Sequence, residues 1–362
     1  MRTVKSRWLL AIAHLLIMAG CGGGKPRAQA VGEGFVAPMS LNLRQELSVR
    51  AAVVATVKHG DRLEILERRR RFVKVRTEKD EEGWTDSRQL LSPMGMARLR
   101  RAAERAAKLP SQGRVTPFDK LNVHIEANRQ APSFYQLPED EGADLIGRIV
   151  TPRLPYVPES DEKEVKGPVA PPPAEVLKDD WTLVRLKDGR SGWVLSRMLM
   201  LSLPDEVTQY AEGHRITSFF SLGQVEDQGQ TRHHWLWTTI AIPPETYQFD
   251  GVRVFVWNTR RHRYETAFRE SRLRGYYPTR VERTPQGSRF VIHAASRDGI
   301  LTQREYEFNG HQVKLLSKVP FTLPAPTQGE QDLMPALPAP STVEVSRWEA
   351  VKHWFREKMP SR

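Results

Sequence analysis

The sequence predicts a mainly β protein: two small barrels followed by an antiparallel β-sheet domain, sandwich or barrel, with short helices as connector and at the C-terminus. Three observations carry this. Two stretches of the chain echo one another strand for strand. Runs of β-branched and aromatic residues, punctuated by turn residues, fill the region 205–322. Helix formers are dense only between the two echoing stretches, and apolar residues fall at helical spacing near the end. The 362 residues are 39 % hydrophobic, enough to build packed cores and too apolar for wholesale disorder. The single Cys excludes an intramolecular disulfide, cysteine-based zinc and iron–sulfur sites, and a Cys-x-x-Cys redox pair.

Residues 1–20 read as an export signal. Arg2, Lys5 and Arg7 precede an apolar run from Trp8 to Ala19, too short to cross a bilayer core of about 30 Å. The tetrapeptide Met18-Ala19-Gly20-Cys21 at its end resembles the lipobox of bacterial lipoproteins, with Met where that family prefers Leu. The resemblance implies that Cys21 becomes the mature N-terminus and carries diacylglycerol and palmitate. It also implies that Gly22, in place of Asp, directs the protein to the outer membrane, facing the periplasm. Ala28-Gln29-Ala30 fits the general signal peptidase, so a soluble periplasmic or secreted form cleaved near Ala30 is the alternative. Loss of residues 1–20 lowers the net charge from +12 to about +9. Residues 21–37, with Gly22 to Gly24, are expected to form a flexible tether.

The repeat comes next. Residues 38–92 contain Leu41-Asn42-Leu43-Arg44, Phe72-Val73-Lys74-Val75-Arg76 and Gly83-Trp84-Thr85-Asp86. Residues 115–202 contain Leu121-Asn122-Val123-His124, Trp181-Thr182-Leu183-Val184-Arg185 and Gly192-Trp193-Val194-Leu195. Phe72 and Trp181 are separated by 109 residues, as are Trp84 and Trp193, whereas the Leu-Asn pairs lie only 80 apart. The surplus is seated in the Pro-rich, acidic stretch 148–178, which reads as an exposed loop. The pattern from Leu-Asn-Leu-Arg to Gly-Trp-Thr-Asp resembles the bacterial SH3 domain, closely in the first copy and at the two ends of the second. The resemblance implies a small five- to seven-stranded barrel. It also makes Trp84, Trp193, Arg44, Phe72 and Trp181 the candidate ligand-binding residues, against the alternative that the Gly-Trp pairs are core positions.

The remaining elements follow in order. Residues 93–114 form a basic connector, helical over 94–109 and closed by Pro110. Residues 205–322 hold five or more strands separated by Pro243-Pro244, Asp250-Gly251, Gln286-Gly287, Asp298-Gly299 and Asn309-Gly310. Residues 323–341 are a Pro-rich linker, and 342–362 a short amphipathic helix with Val345, Trp348, Val351 and Phe355 on one face.

Catalytic patterns are missing. No G-x-S-x-G elbow or H-E-x-x-H is present, and His233 and His234, adjacent on a strand, point to opposite faces. The only Cys lies in the signal segment, which removes a Cys-nucleophile cell-wall peptidase. No cofactor or metal is implied. Arg68 to Arg71 and the eight Arg of 251–280 suit anionic envelope polymers or lipid head groups better than nucleic acid, which an exported protein rarely meets. The sequence therefore predicts a non-enzymatic lipoprotein, held in the bilayer through Cys21, whose tandem domains bind cell-wall peptide or glycan (peptidoglycan) or an envelope protein. The alternative is an assembly factor whose 205–322 domain holds a protein partner, the barrels acting as spacers.

Overall fold

The structure, a computed structural model, describes residues 27–154, 177–211, 213–242, 245–296 and 299–323. Cys21 and the signal segment, the Pro-rich stretch from residue 324 and the expected C-terminal helix lie outside the described residues. The described chain divides into two compact units, residues 27–36 with 40–90, and residues 37–39 with 91–323.

The first module is a seven-stranded antiparallel sheet. Its strands are β1 (Gly32–Val36), β2 (Ser40–Arg44), β3 (Val53–Lys58), β4 (Arg62–Arg69), β5 (Phe72–Arg76), β6 (Glu82–Asp86) and β7 (Leu90–Leu91), in the spatial order β3-β2-β6-β5-β4-β1-β7. Alternate residues turn inward, so Leu63 and Ile65 of β4 and Val73 and Val75 of β5 pack with Val36, Leu43, Ala55 and Val57. Strand β1 corrects the expected tether of 21–37. Gly32 pairs with Ile65 and Phe35 with Arg62, Val36 is fully buried, and Glu33 meets Arg62 at 2.6 Å. Two glycines in five residues hid the alternation.

The second unit opens with α1 (Pro93–Ala106), capped by the Ser92 hydroxyl on the Gly95 N–H at 3.0 Å. The second module follows as β8 (Arg114–Pro117), β9 (Leu121–His124), β10 (Ser133–Leu137), β11 (Ala143–Pro152), β12 (Lys178–Arg185), β13 (Ser191–Leu195) and β14 (Leu199–Leu201). Its order, β10-β9-β13-β12-β11-β8-β14, reproduces the first module strand for strand. Even the bulges coincide, between Ile65 and Glu67 in one copy and Leu145 and Gly147 in the other.

The expected loop at 148–178 is corrected at both ends. Arg148 to Pro152 continue β11 and pair in register with Thr182 back to Lys178. Ladder pairing wins here because Thr151 and Asp179 bury their side chains and Pro152 stands at the strand end, where its missing N–H matters least. Burial pushes the Asp179 carboxyl up, but hydrogen bonds from Arg129 and Arg153, at 2.7 and 2.9 Å, bring it down to about 2.

The third sheet is one meander, β15 (Arg215–Asp227), β16 (Gln230–Ile240), β17 (Phe249–Asn258), β18 (Arg263–Thr284), β19 (Gly287–Ala295), β20 (Leu301–Phe308) and β21 (Val313–Pro320), with neighbours in sequence order. The first half of β18 pairs with β17 and the second with β19, with a register shift between Tyr276 and Arg280. Leu222, Leu236, Phe249, Phe290 and Phe308 fill one face, a solid core. On the other, Trp237, Phe255 and Trp257 pack beneath Val207 of the short helix α2 (Asp205–Thr208).

This sheet is joined firmly to the second module. The buried Gln112 side chain donates to the Thr279 carbonyl at 3.2 Å and accepts from the Thr279 N–H at 3.0 Å. Arg148 lies between the Tyr247 carbonyl at 2.8 Å and Asp180 at 2.9 Å.

Of the adjacent histidines, His234 is buried, accepts from the Trp257 N–H at 3.1 Å and meets Phe308 edge-on. Burial holds its imidazole down to about 4. An unfolded His titrates near 6.5, so the unfolded chain takes up the proton first. The stability carried by the neutral ring is complete above about pH 6.5 and drains away as pH falls toward 4, by about 3 kcal/mol. Denaturant unfolding across this window is expected to show a flatter pH slope for His234→Gln than for the parent. Equal slopes would place the acid sensitivity elsewhere.

Candidate ligand-binding face of the first module

The outward residues of β5 and β6 form the candidate site. Strand alternation that sends Val73, Val75 and Thr85 inward leaves Phe72, Lys74, Glu82, Trp84 and Asp86 outward. The pairs Phe72–Asp86 and Lys74–Trp84 stand side by side, and Arg44 at the end of β2 lies across from Trp84. Gly83 permits that crossing: a Cβ there would fall 2.8 Å from the Leu43 Cβ. The equivalent Gly192 would place its Cβ 2.7 Å from the His124 carbonyl oxygen, so the Gly-Trp dipeptide is a requirement of strand approach.

Phe72 and Trp84 are half-buried and ringed by cations. The Arg69 guanidinium lies 5.2 Å from the Trp84 ring centre and that of Arg71 4.9 Å from Phe72. Lys74 pairs with Glu82 at 2.7 Å. Asp86 binds Arg88 at 2.7 Å and approaches Arg71 at 3.7 Å, and the Arg88 hydrogen bond holds its carboxyl below the usual range. Arg69 is held in turn by Glu67 at 2.5 Å, so the result is an aromatic surface rimmed by ion-paired cations and carboxylates of both signs, suited to a polar ligand with flat or small apolar groups.

The second module presents the same frame with different chemistry. Phe72 is replaced by Trp181, Lys74 by Leu183, Asp86 by Leu195 and Arg69 by Ile149, as the two sets of strand pairs show. This apolar surface is covered by the chain itself. Ala102 and Ala106 of α1, with Leu109, pack onto Trp181, Leu183 and Trp193, leaving Trp181 fully buried and Trp193 4 % exposed. Arg185 closes the contact, donating to the carbonyls of Ala106 at 3.1 Å and Leu109 at 2.8 Å, at the helix end where unpaired carbonyls collect. Arg98 on α1 meets Glu126 at 3.2 Å.

Five residues were expected to bind ligand. Phe72 and Trp84 come together on an accessible face. Trp181 and Trp193 are buried under α1 and are withdrawn as ligand contacts. Arg44 donates to the Ala51 carbonyl at 2.7 Å, just as His124 Nδ1 donates to that of Ala131 at 2.8 Å, so both tie down the following loop. Cys21 lies outside the described residues. Arg69 and Arg71 lie in the basic run Arg68 to Arg71 named from the sequence, whereas Lys74 and Arg88 were missed. Comparing the two copies position by position marks Arg69 and Lys74, which stand where Ile149 and Leu183 stand in the second, while Arg88 keeps its counterpart in Arg197.

Elsewhere, the Ser221 hydroxyl and His233 Nδ1 are 2.8 Å apart, with the Arg283 guanidinium 3.2 Å from the same hydroxyl. The pair sits on a strand surface, and among the described residues no carboxylate orients the ring. No group of three or more His, Cys, Asp or Glu is placed to hold a metal among the described residues. Among them, too, no helix is long and apolar enough to cross a membrane.

Two solved structures show a distant likeness. An NlpC/P60 family protein from Bacillus cereus is 10 % identical, over 83 % of this chain and 97 % of that one, at a TM-score of 0.20. NlpC2 from Trichomonas vaginalis is 9 % identical, over 80 % and 97 %, at 0.16. At such scores neither likeness bears on chemistry. No curated protein matches the chain. The first module does have a family: residues 40–91, from β2 through β7, match the model of the bacterial SH3 domain.

Proposed function

We propose that this protein is a non-enzymatic lipoprotein of the outer membrane, anchored through acylated Cys21, whose first module captures an envelope component. That component is cell-wall peptide or glycan, or a protein held at the wall. The observation that supports this reading is the accessible Phe72–Trp84 pair among Arg69, Arg71, Lys74 and Arg88, on a face whose counterpart in the same chain is already filled. The second module, in this view, is a closed support that carries the third sheet. Several acyl chains would hold the protein stably, since each buried CH₂ contributes about 0.8 kcal/mol.

Fractionation of cells tests both halves. The parent is expected in the detergent phase and Cys21→Ala in the aqueous phase; an aqueous parent overturns the anchor. Purified sacculi, with their attached proteins left on, are expected to retain the parent, and to retain Trp84→Ala at least about tenfold less. Equal retention, or none at either low or moderate salt, overturns the binding face.

A further inference from the structure

We propose that the junction of the second module and the third sheet is a second binding site, one for a doubly charged oxyanion of the phosphate class. Arg215 and Arg197 hold the anion, beside an Arg148–Asp180 pair that is already complete. The site is separate from the Phe72–Trp84 face and stands whether or not that face binds.

Asp180 on β12 is the carboxylate at the centre, with its side chain 8 % exposed. Its oxygens are taken. Arg148 places Nε 2.9 Å from Oδ1 and Nη2 3.1 Å from Oδ2, and the Ser196 hydroxyl donates to Oδ1 at 3.0 Å. The other arm of Arg148 turns to main-chain oxygens, that of Tyr247 at 2.8 Å and that of Glu245 at 3.4 Å. One buried negative charge therefore answers one buried positive charge.

Arg215, the first residue of β15, brings a second cation to the same carboxylate. Its Nη1 reaches only 3.4 Å from Asp180 Oδ2, and among the described residues its guanidinium makes no hydrogen bond. Nη1 itself is shut away from solvent, although the side chain as a whole is 29 % exposed. Burial pushes the Arg215 guanidinium down; Asp180 opposes this, and the neighbouring Arg148 and Arg197 add to it. Arg197 is the third cation. It follows the Ser196 that binds Asp180, lies exposed, and has no ion pair among the described residues.

Three guanidiniums thus surround one carboxylate, and two positive charges are left over at a partly desolvated place. Such a place favours an anion, because an unpaired cation out of water is destabilising. A phosphate or sulfate dianion carries the matching charge, and its oxygens suit guanidinium forks. A carboxylate would neutralise half of the excess. Approach is open, since Arg197 is exposed and Arg215 is partly so. The two arginines belong to different sheets, so a bound anion would also tie the second module to the third.

Calorimetric titration of the full chain in non-ionic detergent, at pH 8 and constant ionic strength, is the test. Inorganic phosphate is expected to bind at least about tenfold more tightly than acetate, and sulfate to compete with it. Arg215→Gln and Arg197→Gln are each expected to weaken phosphate binding at least about tenfold. Arg272→Gln, an exposed arginine of β18, is expected to leave it unchanged. Where near-ultraviolet circular dichroism shows Arg215→Gln misfolded, the exposed Arg197 decides. Glycerol phosphate tells the source: tighter binding than inorganic phosphate assigns the site to a phosphate ester, weaker binding to the free ion. No saturable binding, acetate equal to phosphate, an undiminished Arg197→Gln, or an equal loss in Arg272→Gln overturns the proposal.

Discussion

Trp193→Ala is expected to destabilise the protein by about 3–5 kcal/mol, while Trp84→Ala costs about 1–2 kcal/mol and removes binding. The two residues occupy the same position of the same strand in two copies of one frame, each following an obligatory Gly. What separates them is the cover. Trp193 is 4 % exposed beneath α1, in a cluster with Ala102, Ala106, Ile146, Leu183 and the fully buried Trp181. Its removal leaves a cavity that a short Ala-rich helix cannot fill by small adjustments. Trp84 has water on one side and a guanidinium over its ring. Urea unfolding followed by circular dichroism, with separate transitions for the two compact units, reads the first effect, and sacculus retention reads the second. Similar stability losses for both variants would mean that Trp84 is a core residue after all.

Glu270→Ala is expected to cost about 3–5 kcal/mol, by a different route. Arg304 is 2 % exposed in the third sheet. Its guanidinium pairs with the Glu270 carboxylate and donates to the Ser296 hydroxyl at 2.6 Å, the Thr302 hydroxyl at 3.0 Å and the Ala294 carbonyl at 3.3 Å. Tyr306 donates to the second Glu270 oxygen at 2.9 Å, and burial together with that carboxylate pushes its phenol up. Truncating Glu270 strands a buried cation and the Tyr306 hydroxyl together. The double variant Glu270→Leu/Arg304→Met removes charge and counter-charge at once and is expected to recover most of the loss. A double variant as unstable as the single one would show that packing, and not the unpaired charge, carries the effect.

The repeat was legible because two of its strands hold register across a constant spacing, from Phe72 to Trp181 and Trp84 to Trp193. Strands β1 and β8 escaped it. Their shared Val-x-Pro, at Val36 and Pro38 and again at Val115 and Pro117, lies 79 residues apart and fits neither of the other spacings. Glycines in β1 and the brevity of β8 removed any period-2 signal. Helix α1 announced itself through its composition, but propensity says nothing of where a helix lands. Its seat is decided by tertiary packing, and the evidence for that seat was the conversion of Lys74 and Asp86 into Leu183 and Leu195. The third sheet's strands showed as β-branched runs, yet the first half of β18, rich in Arg and Glu, is held by pairing to β17 and by a few widely spaced buried residues, Tyr264 and Leu273 among them.

A tandem repeat ordinarily promises avidity: two linked sites raise the effective concentration of the second contact and multiply affinity. With α1 seated on the second copy, only the first copy's face is left open, so the binding proposed for that face would have a single valency. Each copy of the protein would then grip its target with one modest contact that can let go quickly. Strength would come from the lateral density of neighbours anchored as proposed, an arrangement whose grip scales with expression level.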